Sequence, residues 1–218
     1  MFYDCEHGIL SEQRLHDLML YGNAIGIPSL VRVKQLDKAN VSYILDCGAT
    51  GVMVPMVETK QQALSLVNLS KYPPLGQRSY SGGANTNYAP SGNHKVNMES
   101  LNKKTITIAQ IESLKGVENV DEIASVEGID ALIVGPCDLG ISINNPDNVM
   151  DERELKLIQM VIDACKKYNK KFGIIGNNEL LTYFRNDLDY LVSAIDMNIL
   201  KAGIRQAAIN YEKIYKEI

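Results

Sequence analysis

One feature of this chain restricts its fold more than any other. Short apolar runs of strand length alternate with longer segments of helical periodicity, seven times from end to end. The runs fall at 1–4, 28–33, 51–54, 105–111, 131–134, 172–175 and 190–194. Between them, Ser11 is placed to cap a helix carrying Leu15, Leu18 and Met19 at i, i+3, i+4 spacing. Asp37 is placed to cap a second helix, which holds Ile44 and Leu45 and stops at Gly48. Further helical patterns cover 60–69, 117–126, 152–168, 178–184 and 199–215. Strict β-α alternation predicts a parallel sheet covered by helices, because parallel neighbours need a crossover connection.

An open doubly wound sheet and a closed barrel both satisfy that rhythm. No G-x-G-x-x-G or Walker A segment follows any predicted strand, which disfavours the nucleotide-binding open sheets. A complete barrel needs eight units, typically in about 250 residues. The 218 residues here predict a single domain, 1–218, of the TIM (β/α)8 type that lacks the first β/α unit. Segment 71–103, rich in Gly, Asn, Ser and Pro, reads as one long loop.

Composition excludes several partners. A net charge of -4 without a basic block argues against nucleic acid and against an anionic membrane. No apolar run approaches the roughly 20 residues of a membrane helix, and the first ten residues do not resemble a signal peptide. Cys5, Cys47, Cys137 and Cys165 are scattered, without a C-x-x-C pair, which predicts packing thiols in a reducing cytoplasm.

In parallel α/β folds, chemistry sits at the C-terminal ends of the strands. His7, Arg32, Gln110, Glu112, Asp138 and Asp196 all fall there. Each alone has an ordinary reading: a strand-end carboxylate, a turn cap, a packing histidine, a surface ion pair. Their placement at one sheet edge argues for a site. Alternation puts Ile106, Ile108, Gln110 and Glu112 on one face of the fourth strand. Two carboxylates without a Cys or His cluster suit a hard divalent cation, Mg2+ or Mn2+ before Co2+ or Zn2+. Such an ion leaves positions open for a chelating 2-oxo acid.

The segments DCEHG (4–8), LVRV (30–33), ILDCGATGVMVPMVET (44–59), KYPPLGQR (71–78), IAQIES (108–113), VEGIDALIVGPCDL (126–139) and FGI (172–174) carry a resemblance over nearly the whole chain. In that order they resemble the HpcH/HpaI family of metal-dependent 2-oxo-acid aldolases. The resemblance implies a barrel assembled as a homo-oligomer: a dimer, a trimer or a hexamer. It also implies cleavage of a 4-hydroxy-2-oxo acid to pyruvate and an aldehyde, and the reverse addition. By position, Glu112 and Asp138 correspond to the metal ligands, and Arg32 to the residue that stabilises the enolate. His7 corresponds to the proton-transfer residue and Asp46 to its partner. Gln110, Arg78, Gly135 and Cys137 correspond to substrate-binding positions. The end of the second helix lies at the far end of a barrel from His7, so an Asp46–His7 pair is expected to cross between subunits.

The chain also departs from the family. Relatives carry a strand and helix before DCEHG, usually Ala or Ser at Cys137, and a different segment at 79–88. A sheet open at that point is expected to leave Ile106 and Ile108 in reach of water. The last helix, with Ile199, Ile204, Ala207, Ala208 and Ile214, is expected to pack on a neighbour. Three alternatives are carried: oxaloacetate decarboxylation, cleavage like that of citrate lyase or malyl-CoA lyase, and a truncated, non-catalytic paralogue.

Overall fold

The structure, a computed structural model, describes residues 1–90 and 92–216. Seven strands alternate with helices: β1 (Phe2–Asp4), α1 (Glu12–Ala24), β2 (Leu30–Arg32), α2 (Lys38–Asp46), β3 (Gly51–Val54), α3 (Lys60–Ser70), a 3-10 turn (Ala84–Thr86) and α4 (His94–Lys104). There follow β4 (Ile106–Ile111), α5 (Leu114–Glu118), α6 (Val120–Ala124), β5 (Ala131–Val134), α7 (Pro136–Ser142), α8 (Glu152–Lys167), β6 (Lys171–Ile175), α9 (Asn178–Tyr183), β7 (Tyr190–Val192) and α10 (Asp196–Lys216). All strand pairs are parallel and follow chain order from β1 to β7. The sheet curls into a nearly closed TIM-type barrel in which β1 and β7 do not pair with each other.

The expected caps are present. Ser11 Oγ accepts from Arg14 N at 3.3 Å, and Asp37 Oδ1 accepts from Asn40 N at 2.8 Å. Each satisfies a first-turn N–H that the helix leaves free. The principal core lies between the outer face of the sheet and the helices, and includes Leu15, Met19, Val31, Val52, Ala109, Ile111, Leu132 and Ile158. A smaller cluster of Met53, Ile108, Ala131 and Ile133 fills the barrel interior.

Four expectations need correction. Segment 71–103 is not one loop, because its last part is α4, with no buried residue and Asn93 as its cap. Its apolar residues Val96, Met98 and Leu101 are too few and too scattered around the helix to form a periodic stripe. A second missed helix, α7, starts at Gly135 with Pro136 in its first turn, where a missing N–H costs nothing. The pattern at 117–126 is two short helices that meet at Asn119. Ile108 is fully buried, so of the two interior residues expected near water only Ile106 is partly exposed.

Candidate active site at the barrel mouth

Strand β4 builds the centre of the site. Its register places Gln110 beside Ile133 of β5. Two residues further on, Glu112 lies against Gly135. A Cβ on Gly135 would fall 2.5 Å from Glu112 Oε2 and 2.7 Å from Gln110 Nε2, so the close approach requires glycine. Gln110 Nε2 donates to Glu112 Oε2. The other oxygen of Glu112 accepts from the backbone N–H of Met56 at 2.8 Å. Met56 pays for this with φ 52, an uncommon conformation for a residue with a side chain.

Glu112 is 2% exposed. Burial, reinforced by the charges of Glu6 and Asp138, outweighs the Met56 N–H and Arg32 and pushes its carboxyl up to about 7. Gln110 Oε1 is buried without a hydrogen-bond partner among the described residues. Asp138 occupies the first turn of α7, exposed and close enough to Glu112 to raise it.

The first two strands supply the opposite wall. Their register sets Asp4 beside Arg32. Arg32 donates to both oxygens of Asp4, at 2.9 Å from Nε and 2.6 Å from Nη2. Its Nη1 stands 3.0 Å from Glu6 Oε2, an ion contact whose angle is too poor for a hydrogen bond. Burial raises Asp4, but the Arg32 hydrogen bond and charge prevail and hold the carboxyl below the usual range. Burial lowers Arg32, but Asp4, Glu6 and Glu112 keep it firmly protonated. His7 is exposed, with Nε2 3.7 Å from Glu6 Oε2. Asp4 and Glu6 were absent from the predicted site residues, although the DCEHG segment contains both.

Arg78 and Asp46 lie elsewhere. Asp46 ends α2, and Arg78 sits in the connection from α3 towards β4, both at the N-terminal rim. Arg78 Nη2 donates to Asp46 Oδ1 at 2.6 Å, and its guanidinium lies 4.8 Å from the centroid of the Tyr72 ring. The structure therefore joins Arg78 to Asp46 and brings neither to Glu112. Cys137 is exposed next to Asp138. Asp196 opens α10. A recess of about 190 Å³ lined by Tyr80, Asn85, Asn97 and Lys104 also belongs to the N-terminal region and holds none of the mouth carboxylates.

The donor set fits a hard divalent cation. At the mouth Asp4, Glu6 and Glu112 face one guanidinium, and the buried Glu112 carboxylate has spare lone pairs close enough to Asp138 to feel its charge. Among the described residues no group of three or more His, Cys, Asp or Glu side chains is placed to hold a metal ion.

The family model described as HpcH/HpaI aldolase/citrate lyase matches residues 3–179. The chain belongs to that family. It is 33% identical over 177 residues to a 2-keto-3-deoxy-L-rhamnonate aldolase of Salmonella gallinarum, which covers 81% of this chain. It spans 66% of that relative, just under two thirds of its length. The crystal structure of an HpcH/HpaI aldolase from Desulfitobacterium hafniense superposes with a TM-score of 0.89 at 27% identity, over 97% of this chain and 82% of that one. Citrate synthase SbnG superposes at 0.85 and 25% identity, over 100% and 84%. Among the described residues no helix is long and apolar enough to cross a membrane.

Proposed function

We propose that this chain is a metal-dependent aldolase that cleaves a 4-hydroxy-2-oxo acid to pyruvate and an aldehyde, and runs the reverse addition. The observation that carries the reading is the buried Glu112 carboxyl, held on both oxygens by Gln110 and Met56 and crowded by Asp138. Negative charge concentrated in a buried mouth needs a cation to offset it. Glu112 and Asp138 would hold that cation, Mg2+ or Mn2+ by donor type, with Co2+ or Zn2+ as substitutes. When bound, such an ion supplies Lewis acidity toward the ketone of a chelating 2-oxo acid.

The chain's own residues do the rest. Asp4 fixes the guanidinium of Arg32, whose remaining N–H groups face the ketone oxygen as it gains charge. In cleavage the 4-hydroxyl loses its proton, the C3–C4 bond breaks and the aldehyde leaves. The electron pair passes through C3 and C2 to the ketone oxygen, and C3 then takes a proton to give pyruvate. His7, exposed at the rim, moves the hydroxyl proton. Gln110, Gly135 and Cys137 border the space left for substrate.

The test is exchange of the pyruvate methyl protons with deuterated water, followed by NMR. Exchange should require Mn2+ and should be lost in Glu112→Ala, together with Mn2+ binding by calorimetry. Metal-independent exchange, or unchanged Mn2+ binding in the variant, overturns the assignment. The likeness to a citrate synthase favours a second reading in which the same enolate meets a different electrophile, distinguished by product analysis.

The same reading extends to assembly. Helix α10 holds Ile199, Leu200, Ile204 and Ile214 at more than half exposure, an apolar surface that a second copy of this chain would cover. Asp46 of a second copy would then be the partner of His7, since within one chain the two lie at opposite rims. Light scattering after size exclusion tests this, and a stable, active monomer refutes it.

A further inference from the structure

The mouth carboxylates are not the only buried acids. Glu154, in the first turn of α8, is fully buried, and neither of its carboxyl oxygens has a hydrogen-bond partner among the described residues. It lies beneath α7, the helix that carries Asp138. A Cβ on Gly140 would stand 3.2 Å from Glu154 Oε2 and 2.8 Å from the carbonyl oxygen of Asn145. Glycine at this point lets α7 rest directly on the carboxyl. The chain then turns sharply through Asn144, at φ 59, and returns into α8.

Among the described residues no cation offsets a charge at Glu154. Its own helix brings Glu152, paired with Lys156, and Arg153, whose guanidinium is turned to the carbonyl oxygen of Ile143; further along it brings Asp163, Lys166, paired with Asp187, and Lys167. The connection brings Asp147 and Asp151, and α7 brings Asp138. Of the other elements packed on α8, α5 brings Lys115, paired with Glu58, and Glu118. Helix α6 brings Glu122 and Asp121, the latter paired with Lys167, while β6 brings Lys171, paired with Asp189. Strand β5 brings no charge.

We infer that Glu154 is a positioning residue whose uncharged carboxyl seats α7 on α8, and whose ionisation unseats α7 and displaces Asp138. The inference rests on the reading of Asp138 as a metal ligand. A buried carboxylate without partner must recruit water, and the closely packed glycine contact leaves no room for it unless α7 moves. Burial first, and the Asp151 charge second, push the carboxyl up to about 7. The seat therefore changes state near neutral pH.

The test compares the wild type with Glu154→Gln, which keeps the shape and removes the titration. Hydrogen exchange of peptides spanning 136–145, corrected for intrinsic rates, should rise in the wild type as the pH increases and stay flat in the variant. Mn2+ affinity should match at about pH 6, and at about pH 8.5 the variant should bind about fivefold more tightly, a coupling of ordinary size. A remote negative charge alone would give the opposite order, with the wild type tighter at high pH, and that result overturns the inference. Parallel exchange profiles in the two proteins overturn it as well. If the wild type binds no Mn2+ at either pH, the metal reading falls and takes this one with it. Binding with the same pH dependence in both proteins removes only the role of Glu154.

Discussion

The two rims of the barrel use the same residue types to opposite ends. At the N-terminal rim, Lys71 is buried and fully served: Nζ donates to Thr105 O at 2.5 Å, Asn102 O at 3.1 Å and Asp130 Oδ2 at 2.8 Å. Asp130 in turn accepts from Thr107 N at 2.7 Å, and Asp46 clamps Arg78 through Nη2, although Arg78 Nε and the Tyr72 hydroxyl have no hydrogen-bond partner among the described residues. At the C-terminal rim, acids outnumber bases, Gln110 Oε1 and Glu6 Oε2 lack hydrogen-bond partners among the described residues, and Met56 is held at positive φ. A satisfied buried network serves the fold, whereas an underpaired one carries a cost that a ligand can offset. The contrast separates charges that serve stability from charges that await a substrate.

The largest effect should come from the satisfied Lys71 network. Lys71→Ala leaves the Asn102 and Thr105 carbonyls without their donor and should cost about 3–5 kcal/mol of unfolding free energy, as for two acceptors left unsatisfied, while Asp130, 41% exposed, adds little. Urea denaturation measures it, and Mn2+ affinity of the folded protein should not change. A loss below 1 kcal/mol would remove the distinction between the rims.

Arg32→Lys should cost about 2–4 kcal/mol of transition-state stabilisation, because an ammonium cannot copy a fork held by Asp4. The readout is kcat/KM for pyruvate-forming cleavage. Full activity in the lysine variant would return Arg32 to a purely structural ion pair.

Glu112→Gln should sharpen the comparison by moving stability and function in opposite directions. Glu112 titrates near 7 when folded, against an ordinary 4.5. Its raised value contributes stability that is complete below 4.5 and is lost as the pH rises through about 7. The glutamine carries no such loss, so at about pH 8 in metal-free buffer the variant should be more stable by on the order of 2–3 kcal/mol. Mn2+ binding should vanish. A less stable variant at that pH would contradict the assignment of a buried carboxylate crowded by other acids.

The smallest effect concerns Met56. Met56→Val places a β-branched side chain at positive φ and should cost about 1–2 kcal/mol, read from thermal unfolding. It should also weaken Mn2+ binding by shifting the N–H that holds Glu112. Metal affinity identical to the wild type would show that this backbone contact does not position the ligand.

Local pattern alone determined much of this protein. Apolar periodicity marked all seven strands and the long buried helices α1, α3 and α8, because each element must turn one face to the core, whereas the short α7 escaped it. Alternation along β4 by itself places Gln110 and Glu112 on one face, since strand geometry leaves no other choice. Ser11 and Asp37 announced their caps through the first-turn N–H groups they serve. Tertiary structure decided what has no local signature. Helix α4 is held by its cap and shows no apolar stripe. The fit of Gly135 over Glu112, the fork of Arg32 on Asp4, the pairing of Arg78 with Asp46 and the burial of Glu154 beneath Gly140 join residues from about 14 to 32 positions apart. Such contacts depend on sheet register and helix packing, which residue spacing along one element does not encode.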